Sequence, residues 1–355
     1  MKIVQVIGSF SRGDGIGNHI WELHKIFCAA GYCSEIYSQY QNEKQQIKKV
    51  KNISELRNVK SDDILILHMC IGSMVNRYIQ RFSCKKIMIY HNITPPEFFK
   101  KYDINFYRMC KQGYKELKQL IGKFDCVAAM SEYNKKDLLQ IGYQEPISVL
   151  SGYLIPYYEY QKEPDQRIIE KYQDEKKNFL FVGRVVPNKK QEDIIRVFAY
   201  YQKYFDSKVR LIFVGNTNLK HYVEDLKQYV QMIGVENVIF TGSVSFAELI
   251  AYYQIADIFL CMSEHEGFCI PLIEAMLFQV PVVTYKATAI PDTMGQAGVM
   301  MQTKKPVVWC QVIERVLNQE FIREKIILSE QKRVKERMEY RKQEKVLKEY
   351  RKILF

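Results

Sequence analysis

The sequence predicts an α/β protein built from two open parallel sheets, and three observations carry that prediction. Short apolar runs alternate with amphipathic helical patterns along the chain, at the spacing of βα units rather than hairpins. The first run, Ile3 to Gly8, feeds a Gly-rich loop that opens a helix, the position where a doubly wound sheet cradles a phosphate. A second strand–loop–helix series restarts at Asn178 after a Pro- and Tyr-rich stretch, and 355 residues suffice for two sizeable cores.

In the first series, Ser9 to His19 forms the loop, and Ile20, Leu23, Ile26 and Phe27 give the following helix its apolar face. Strands are predicted at Ser34 to Tyr37, Ile64 to His68 and Lys85 to Tyr90. The last of these ends at His91, where parallel sheets place ligands, although a neutral ring packed under Pro95-Pro96 fits equally. His68, at its own strand's exit, ranks behind it. Arg108 to Lys123 reads as a basic helix, either a solvated face or one turned to an acceptor groove or anionic lipid. The strand Cys126 to Met130 follows, and Ser131 is a fitting N-cap for the helix after it. The first domain is bounded at 1–153, and 154–177, rich in proline, tyrosine and charge, reads as a linker.

The second domain is bounded at 178–335. Its first strand, Asn178 to Val182, delivers Gly183-Arg184, with Lys189 five residues on. Arginine offers a bidentate fork and lysine a point charge, the two ways of holding a diphosphate. Strands at Val209 to Gly215 and Val238 to Thr241 lead to a third apolar run, Ala256 to Met262. After it comes Ser263-Glu264-His265-Glu266-Gly267-Phe268-Cys269-Ile270-Pro271-Leu272-Ile273-Glu274 and then the strand Val280 to Tyr285. Glu266 and Glu274, eight residues apart, lie near one helix face. The N–H groups of Gly267, Phe268, Cys269 and Ile270 open that helix and favour an anion. A carboxylate accepts two hydrogen bonds from a vicinal diol, so this pattern suits a ligand with both hydroxyls and phosphates. The spacing alone also fits a helix with an acidic first turn and a solvated Glu274.

The composition narrows the class. An apolar fraction of 47% with mean hydropathy −0.25 fits a globular chain, and no run of about 18 apolar residues is present to span a bilayer. Nine scattered cysteines without a C-x-x-C pair predict reduced, mostly buried thiols in the cytoplasm. The net charge of +12 is divided as +8 on residues 1–150 and +4 on the remainder. Such a surplus attracts nucleic acid, anionic lipid and phosphorylated substrates alike. From Glu320 onward, 12 Lys/Arg and 7 Glu read as charged helices with i,i+4 pairs.

The block from Glu266 to Ala275 resembles the E-x7-E signature of the retaining glycosyltransferases of family 4 (glycosyl transferases group 1). Phe181-Val182-Gly183-Arg184, with Pro187 and Lys189, resembles that family's second signature, and Tyr90-His91-Asn92-Ile93-Thr94-Pro95 a third stretch. The resemblance implies a GT-B architecture, in which two Rossmann-like domains face a donor and acceptor cleft. A C-terminal helix, here 336–355, returns to the first domain. It also implies transfer of a hexose from a nucleoside-diphosphate sugar, GDP or UDP, to a saccharide hydroxyl with retention and without a metal or other cofactor. On this reading Glu266 steadies the sugar, His91 faces it, and Glu274 holds the ribose. Arg184, Lys189 and the amides of Gly15 and Gly267 to Ile270 hold the diphosphate. The acceptor is expected to be a surface polysaccharide or lipid-linked saccharide, with the protein peripheral to an anionic membrane face and nucleic acid not a partner.

Three rivals are weighed. A dinucleotide-dependent dehydrogenase would need a complete G-x-G-x-x-G, and Gly13, Gly15 and Gly17 do not supply it. A nucleic-acid-binding protein would explain the charge, and its binding would fall steeply with salt. An inactive scaffold of the same fold would lack some of Arg184, Lys189, Glu266 and Glu274, and all four are present.

Overall fold

The computed structural model describes residues 1–41 and 49–355. The chain divides into two units. The first comprises Met1–Lys100, Ile104–Pro156 and Met338–Phe355, and the second Lys101–Asp103 and Tyr157–Arg337.

The first unit is a seven-stranded parallel sheet. Its strands are β1 (Lys2–Phe10), β2 (Cys33–Gln41), β3 (Val50–Asn52), β4 (Ile64–Met69), β5 (Lys85–Tyr90), β6 (Cys126–Ala129) and β7 (Ile147–Val149), in the order β3-β2-β1-β4-β5-β6-β7. β4 is buried along its whole length, as a central strand covered on both faces must be. The chain order reverses between β1 and β4, and such reversals open the crevice where doubly wound sheets bind ligands. Helix α1 (Gly15–Ala29) starts under an Asp14 cap, whose carboxylate accepts from Gly17 N–H at 2.6 Å. A Cβ at Gly17 would lie 1.9 Å from Ser11 O, so the tight strand-to-helix turn admits only glycine there. Further helices follow: α2 (Met74–Tyr78), α3 (Ile104–Gln119), α4 (Glu132–Ile141) and, in the second unit, α5 (Gln166–Lys171). Ser131 caps α4, its hydroxyl accepting from Asn134 N–H at 3.1 Å.

The second unit is a six-stranded parallel sheet. Its strands are β8 (Lys177–Val182), β9 (Val209–Val214), β10 (Val238–Gly242), β11 (Ile258–Cys261), β12 (Val282–Tyr285) and β13 (Val299–Met301), ordered β10-β9-β8-β11-β12-β13. The helices are α6 (Gln191–Tyr204), α7 (Lys220–Met232), α8 (Phe246–Gln254), α9 (Ile270–Leu277), α10 (Ile290–Met294) and α11 (Pro306–Asn318). Phe179, Phe181, Phe198, Tyr201 and Trp309 fill its core. The switch point falls between β8 and β11, which are hydrogen-bonded neighbours although about 75 residues apart. The loops leaving these two strands carry Arg184 and Lys189 on one side and Glu266 on the other.

The stretch 154–177, read as a linker, is packed at several points along its length. Leu154 and Ile155 are buried, Tyr157–Gln161 forms a 3-10 turn, α5 follows, and Tyr160 packs edge-on against Phe278 and tilted on Phe246. Its aromatic side chains, not its backbone alternation, bind it to the second unit. Two expectations are corrected. The basic helix α3 ends at Gln119, ahead of the left-handed Gly122, so Lys123 lies beyond it. The charged tail is two helices, α12 (Glu320–Tyr340) and α13 (Gln343–Leu354). The ion pairs within it at helical spacing, Arg333–Glu336 and Glu339–Lys342, are at i,i+3. α13 buries Val346, Leu347, Tyr350, Ile353 and Leu354 in the core of the first unit, together with Ile3, Phe27 and Ile87. Among the described residues, no helix is long and apolar enough to cross a membrane.

Candidate functional site

Strand β8 ends at Val182, and after Gly183 comes Arg184, an exposed residue whose carbonyl accepts from Gln191 Nε2 at 3.0 Å. Pro187–Lys189 then makes one 3-10 turn, and Lys190 takes a left-handed φ of 55° to start α6. That turn is tied to the loop after β11. Glu264 N–H donates to Asn188 O at 2.9 Å, and Asn188 Nδ2 donates to His265 O at 3.0 Å. These bonds set Lys189 against Glu266, its Nζ lying 2.5 and 2.6 Å from the two carboxylate oxygens. Burial works against the Lys189 ammonium more than any other single cause. The charge and hydrogen bond of Glu266, together with the nearby Cys269 and Cys261, outweigh it and raise the pKa above the ordinary lysine value. Glu266 is fixed from behind by its own N–H, which donates to Thr288 Oγ1 at 2.8 Å. Glu264 holds a second set of cations, Lys190 at 3.3 Å and Lys304 at 2.8 Å.

Helix α9 starts after Cys269, a non-glycine residue with φ 72°, and carries Pro271 in its first turn, where a missing N–H costs nothing. The helix therefore begins at Ile270, one residue past the Cys269 cap, and Gly267 and Phe268 belong to the loop before it rather than to its first turn. Phe268 is held by Thr293 Oγ1 on its carbonyl, and the Arg337 guanidinium lies 5.0 Å from its ring centre. Glu274, on the next turns, is buried and accepts from Tyr160 OH and, at 2.7 Å, from Tyr253 OH. Burial raises its pKa while the two phenols act in the opposite direction. The two carboxylates thus have different partners, a cation for Glu266 and two hydroxyls for Glu274. Behind Glu266, Cys269 hydrogen-bonds the Cys261 thiol and pulls its pKa down to about 7.

The first unit holds the other predicted residues. Gly15 is the first residue of α1, directly after the Asp14 cap. His91 follows β5 and is buried in a chain of imidazoles. Its Nε2 lies 2.9 Å from His68 Nδ1, its Nδ1 2.9 Å from Tyr153 OH, and His68 Nε2 3.1 Å from Gln5 Oε1. Gln5 donates its amide to Ile20 O, so its oxygen accepts the His68 Nε2 proton. His68 Nδ1 is then an acceptor, His91 donates from Nε2, and His91 Nδ1 accepts from Tyr153. Both ring nitrogens of His91 are engaged by the protein. His19, in α1, is fully buried beside them, accepting from Leu154 N–H at 3.1 Å and paired with Tyr350 OH at 3.0 Å.

Sequence reasoning missed Tyr160, Tyr253, Tyr153, Gln5, Asn188 and Thr288. Only the last two carried a local signal, each lying in a loop at a strand exit.

The buried imidazoles have a measurable consequence. Burial pushes His19 down to about 3 and His68 and His91 well below the ordinary value. Above about pH 6.5, neutral rings in both folded and unfolded chains give no difference. Below it the unfolded chain takes up protons that the folded unit refuses, so stability falls as pH drops. Urea unfolding at pH 5.5 and 7.5 should show this loss, and His68→Gln should reduce it. Equal stability of the wild type at both pH values would refute the neutral assignment.

The glycosyl transferases group 1 family model matches residues 162–336, the second unit almost end to end. The fold agrees: Anabaena Alr3699/HepE, solved in complex with UDP and glucose, superposes with TM-score 0.74 over 99% of both chains at 15% identity. The chain is a GT-B glycosyltransferase. Its relatives include a 41.2 kDa protein in the cps region of Klebsiella pneumoniae, 24% identical over 84% of this chain and 82% of its own length. The capsular polysaccharide biosynthesis glycosyltransferase CapM of Staphylococcus aureus is 29% identical over 43% of this chain and 40% of its own. In the glycosyltransferase, the matched family region carries Arg184, Lys189, Glu266 and Glu274, while Gly15 and His91 lie outside it.

Proposed function

We propose that this glycosyltransferase moves a hexose from a GDP- or UDP-sugar to a saccharide hydroxyl, with retention and without a metal, in the assembly of a surface polysaccharide. The observation that carries the reading is the meeting of Lys189, Glu266 and the α9 amides at the switch point of the second sheet, with Arg184 on the same loop as Lys189. A nucleoside diphosphate gains charge as the glycosidic bond breaks, and cations and oriented amides stabilise that change most where water is excluded. Arg184 and Lys189 supply the positive charge that a divalent ion supplies elsewhere. Glu266 steadies the oxocarbenium-like carbon, and Glu274 accepts from the ribose diol. The acceptor hydroxyl attacks the face that the diphosphate leaves, the C–O bond to the acceptor forms as the bond to phosphate breaks, and the departing phosphate oxygen takes the hydroxyl proton. His91, its tautomer set by His68, acts on the sugar side by exchanging the Tyr153 hydrogen bond at Nδ1 for one to a sugar hydroxyl.

The names of the Klebsiella and Staphylococcus relatives, one in a cps region and one in capsular polysaccharide biosynthesis, support a polysaccharide acceptor. The +8 surplus on residues 1–150 supports a lipid-linked acceptor at an anionic membrane face. Helix α3 supports it too, with Arg108, Lys111, Lys115 and Lys118 beside exposed Ile104 and Met109.

The test is a thermal-shift and hydrolysis screen with UDP-, GDP-, ADP- and dTDP-sugars in the presence of EDTA, on wild type and Arg184→Ala. One base should stabilise the wild type, with cleavage of its sugar, and do neither for the variant. Stabilisation by DNA or RNA and by no sugar nucleotide would overturn the reading.

A further inference from the structure

Cys261 and Cys269 flank Glu266 and have no part in the transfer chemistry above beyond the Cys269 amide. Cys261 closes β11, and Cys269 caps α9, which brings both side chains back onto Glu266, one of the two carboxylates between them in sequence. One ligand atom from each, two Sγ and a carboxylate oxygen, all lie within 4.8 Å of one another, and all three side chains are buried. Around a tetrahedral Zn²⁺ with bonds of about 2.3 Å to sulfur and 2.0–2.2 Å to oxygen, ligand atoms sit roughly 3.4–3.8 Å apart. The cluster therefore needs contraction of at most about an ångström. Two thiolates and a carboxylate select a soft or borderline divalent ion over Mg²⁺ or Ca²⁺, which take oxygen ligands. Ser263 Oγ, 3.3 Å from Cys261 Sγ, is placed to hydrogen-bond the coordinated sulfur.

We propose that Cys261, Cys269 and Glu266 form a binding site for a zinc-class divalent cation that competes with the Lys189 ammonium for Glu266 and inhibits transfer. Binding deprotonates both thiols, so two protons leave per ion and the Zn(thiolate)₂(carboxylate) unit carries one negative charge. That charge keeps Lys189 as a neighbour but takes the Glu266 oxygen from the sugar side. Three protein ligands leave a fourth position open, which distinguishes the site from a structural four-ligand centre.

The experiment uses the reduced, chelator-stripped full chain. Zn²⁺ is titrated against a chromogenic indicator, and Cd²⁺ is followed by its thiolate charge-transfer absorption. At pH 6, where the thiols start largely protonated, the wild type should bind one equivalent, releasing close to two protons, and Cd²⁺ should give the thiolate band. Cys261→Ser/Cys269→Ser should weaken binding roughly 100-fold or more and remove the band, and Glu266→Gln should weaken it about 10-fold while keeping the band. The exposed pair supplies the control that does not disturb the core: Cys28→Ser/Cys33→Ser should bind as the wild type does. Failure of the wild type to bind one equivalent would overturn the proposal. So would loss of that binding in Cys28→Ser/Cys33→Ser, or its survival unchanged in Cys261→Ser/Cys269→Ser.

Discussion

Lys189→Ala is expected to lower sugar transfer by roughly 10²–10³-fold and to cost on the order of 3–5 kcal/mol of stability in the second unit. Both effects come from one ion pair. Lys189 and Glu266 side chains are only 17% and 7% exposed, and the lysine contacts both carboxylate oxygens. Removing one partner of a buried pair leaves the other charge without compensation, which costs more than the pair itself contributes. Glu266 would also lose the ammonium contact that fixes both of its carboxylate oxygens, and a mobile carboxylate steadies an oxocarbenium-like carbon less well. Stability and catalysis can be separated by the double variant Lys189→Ala/Glu266→Gln. Neutralising both partners should restore most of the stability in urea unfolding while sugar-nucleotide cleavage stays low. Wild-type rates for Lys189→Ala would refute a role for this cation at the leaving group. A double variant as unstable as the single one would locate the stability effect outside the charge.

What could be read from the chain followed from the period of its apolar residues and from where its loops fall. The parallel strands β4, β5, β9 and β11 are short apolar runs between helical patterns, so their existence and the double sheet were legible. Strands β3, β7 and β13, each of three residues, are too short to set up a period and were missed. Arg184, Lys189 and Glu266 were legible because all three lie just past strand ends, and adjacency of β8 and β11 then brings them together. Register decides the rest. His68 and His91 leave neighbouring strands, with His68 paired to Ile89, so their ring contact follows once β4 and β5 are aligned and not before. Tyr160 had no signal at all. It sits in a stretch without alternation, and its hydroxyl meets a carboxylate 114 residues away.

That tyrosine underlies the second large effect. Glu274→Ala is expected to lower affinity for the nucleotide sugar by at least about 100-fold, because two charge-assisted hydrogen bonds to a ribose diol are worth roughly 1.5–3 kcal/mol each. It should also destabilise the unligated protein, since the Tyr160 and Tyr253 hydroxyls lose their acceptor in a buried site, at about 1–3 kcal/mol apiece. Tyr160→Phe separates the two roles. The phenols already supply Glu274 with the pair of donors that a diol would bring, so a bound ribose has to share or displace them. Removing one hydroxyl frees an acceptor position on the carboxylate, and burial without that hydrogen bond drives the Glu274 pKa further up. Tyr160→Phe should therefore lose about 1 kcal/mol of stability and bind the donor as tightly as wild type or several-fold more tightly, with that advantage shrinking between a higher and a lower pH because the further-raised pKa favours the protonated carboxyl. Calorimetric titration of the cognate nucleoside diphosphate at the two pH values reads this directly. If Tyr160→Phe weakens binding as much as Glu274→Ala does, the phenol is itself a ligand of the nucleotide, and the carboxylate serves to orient it.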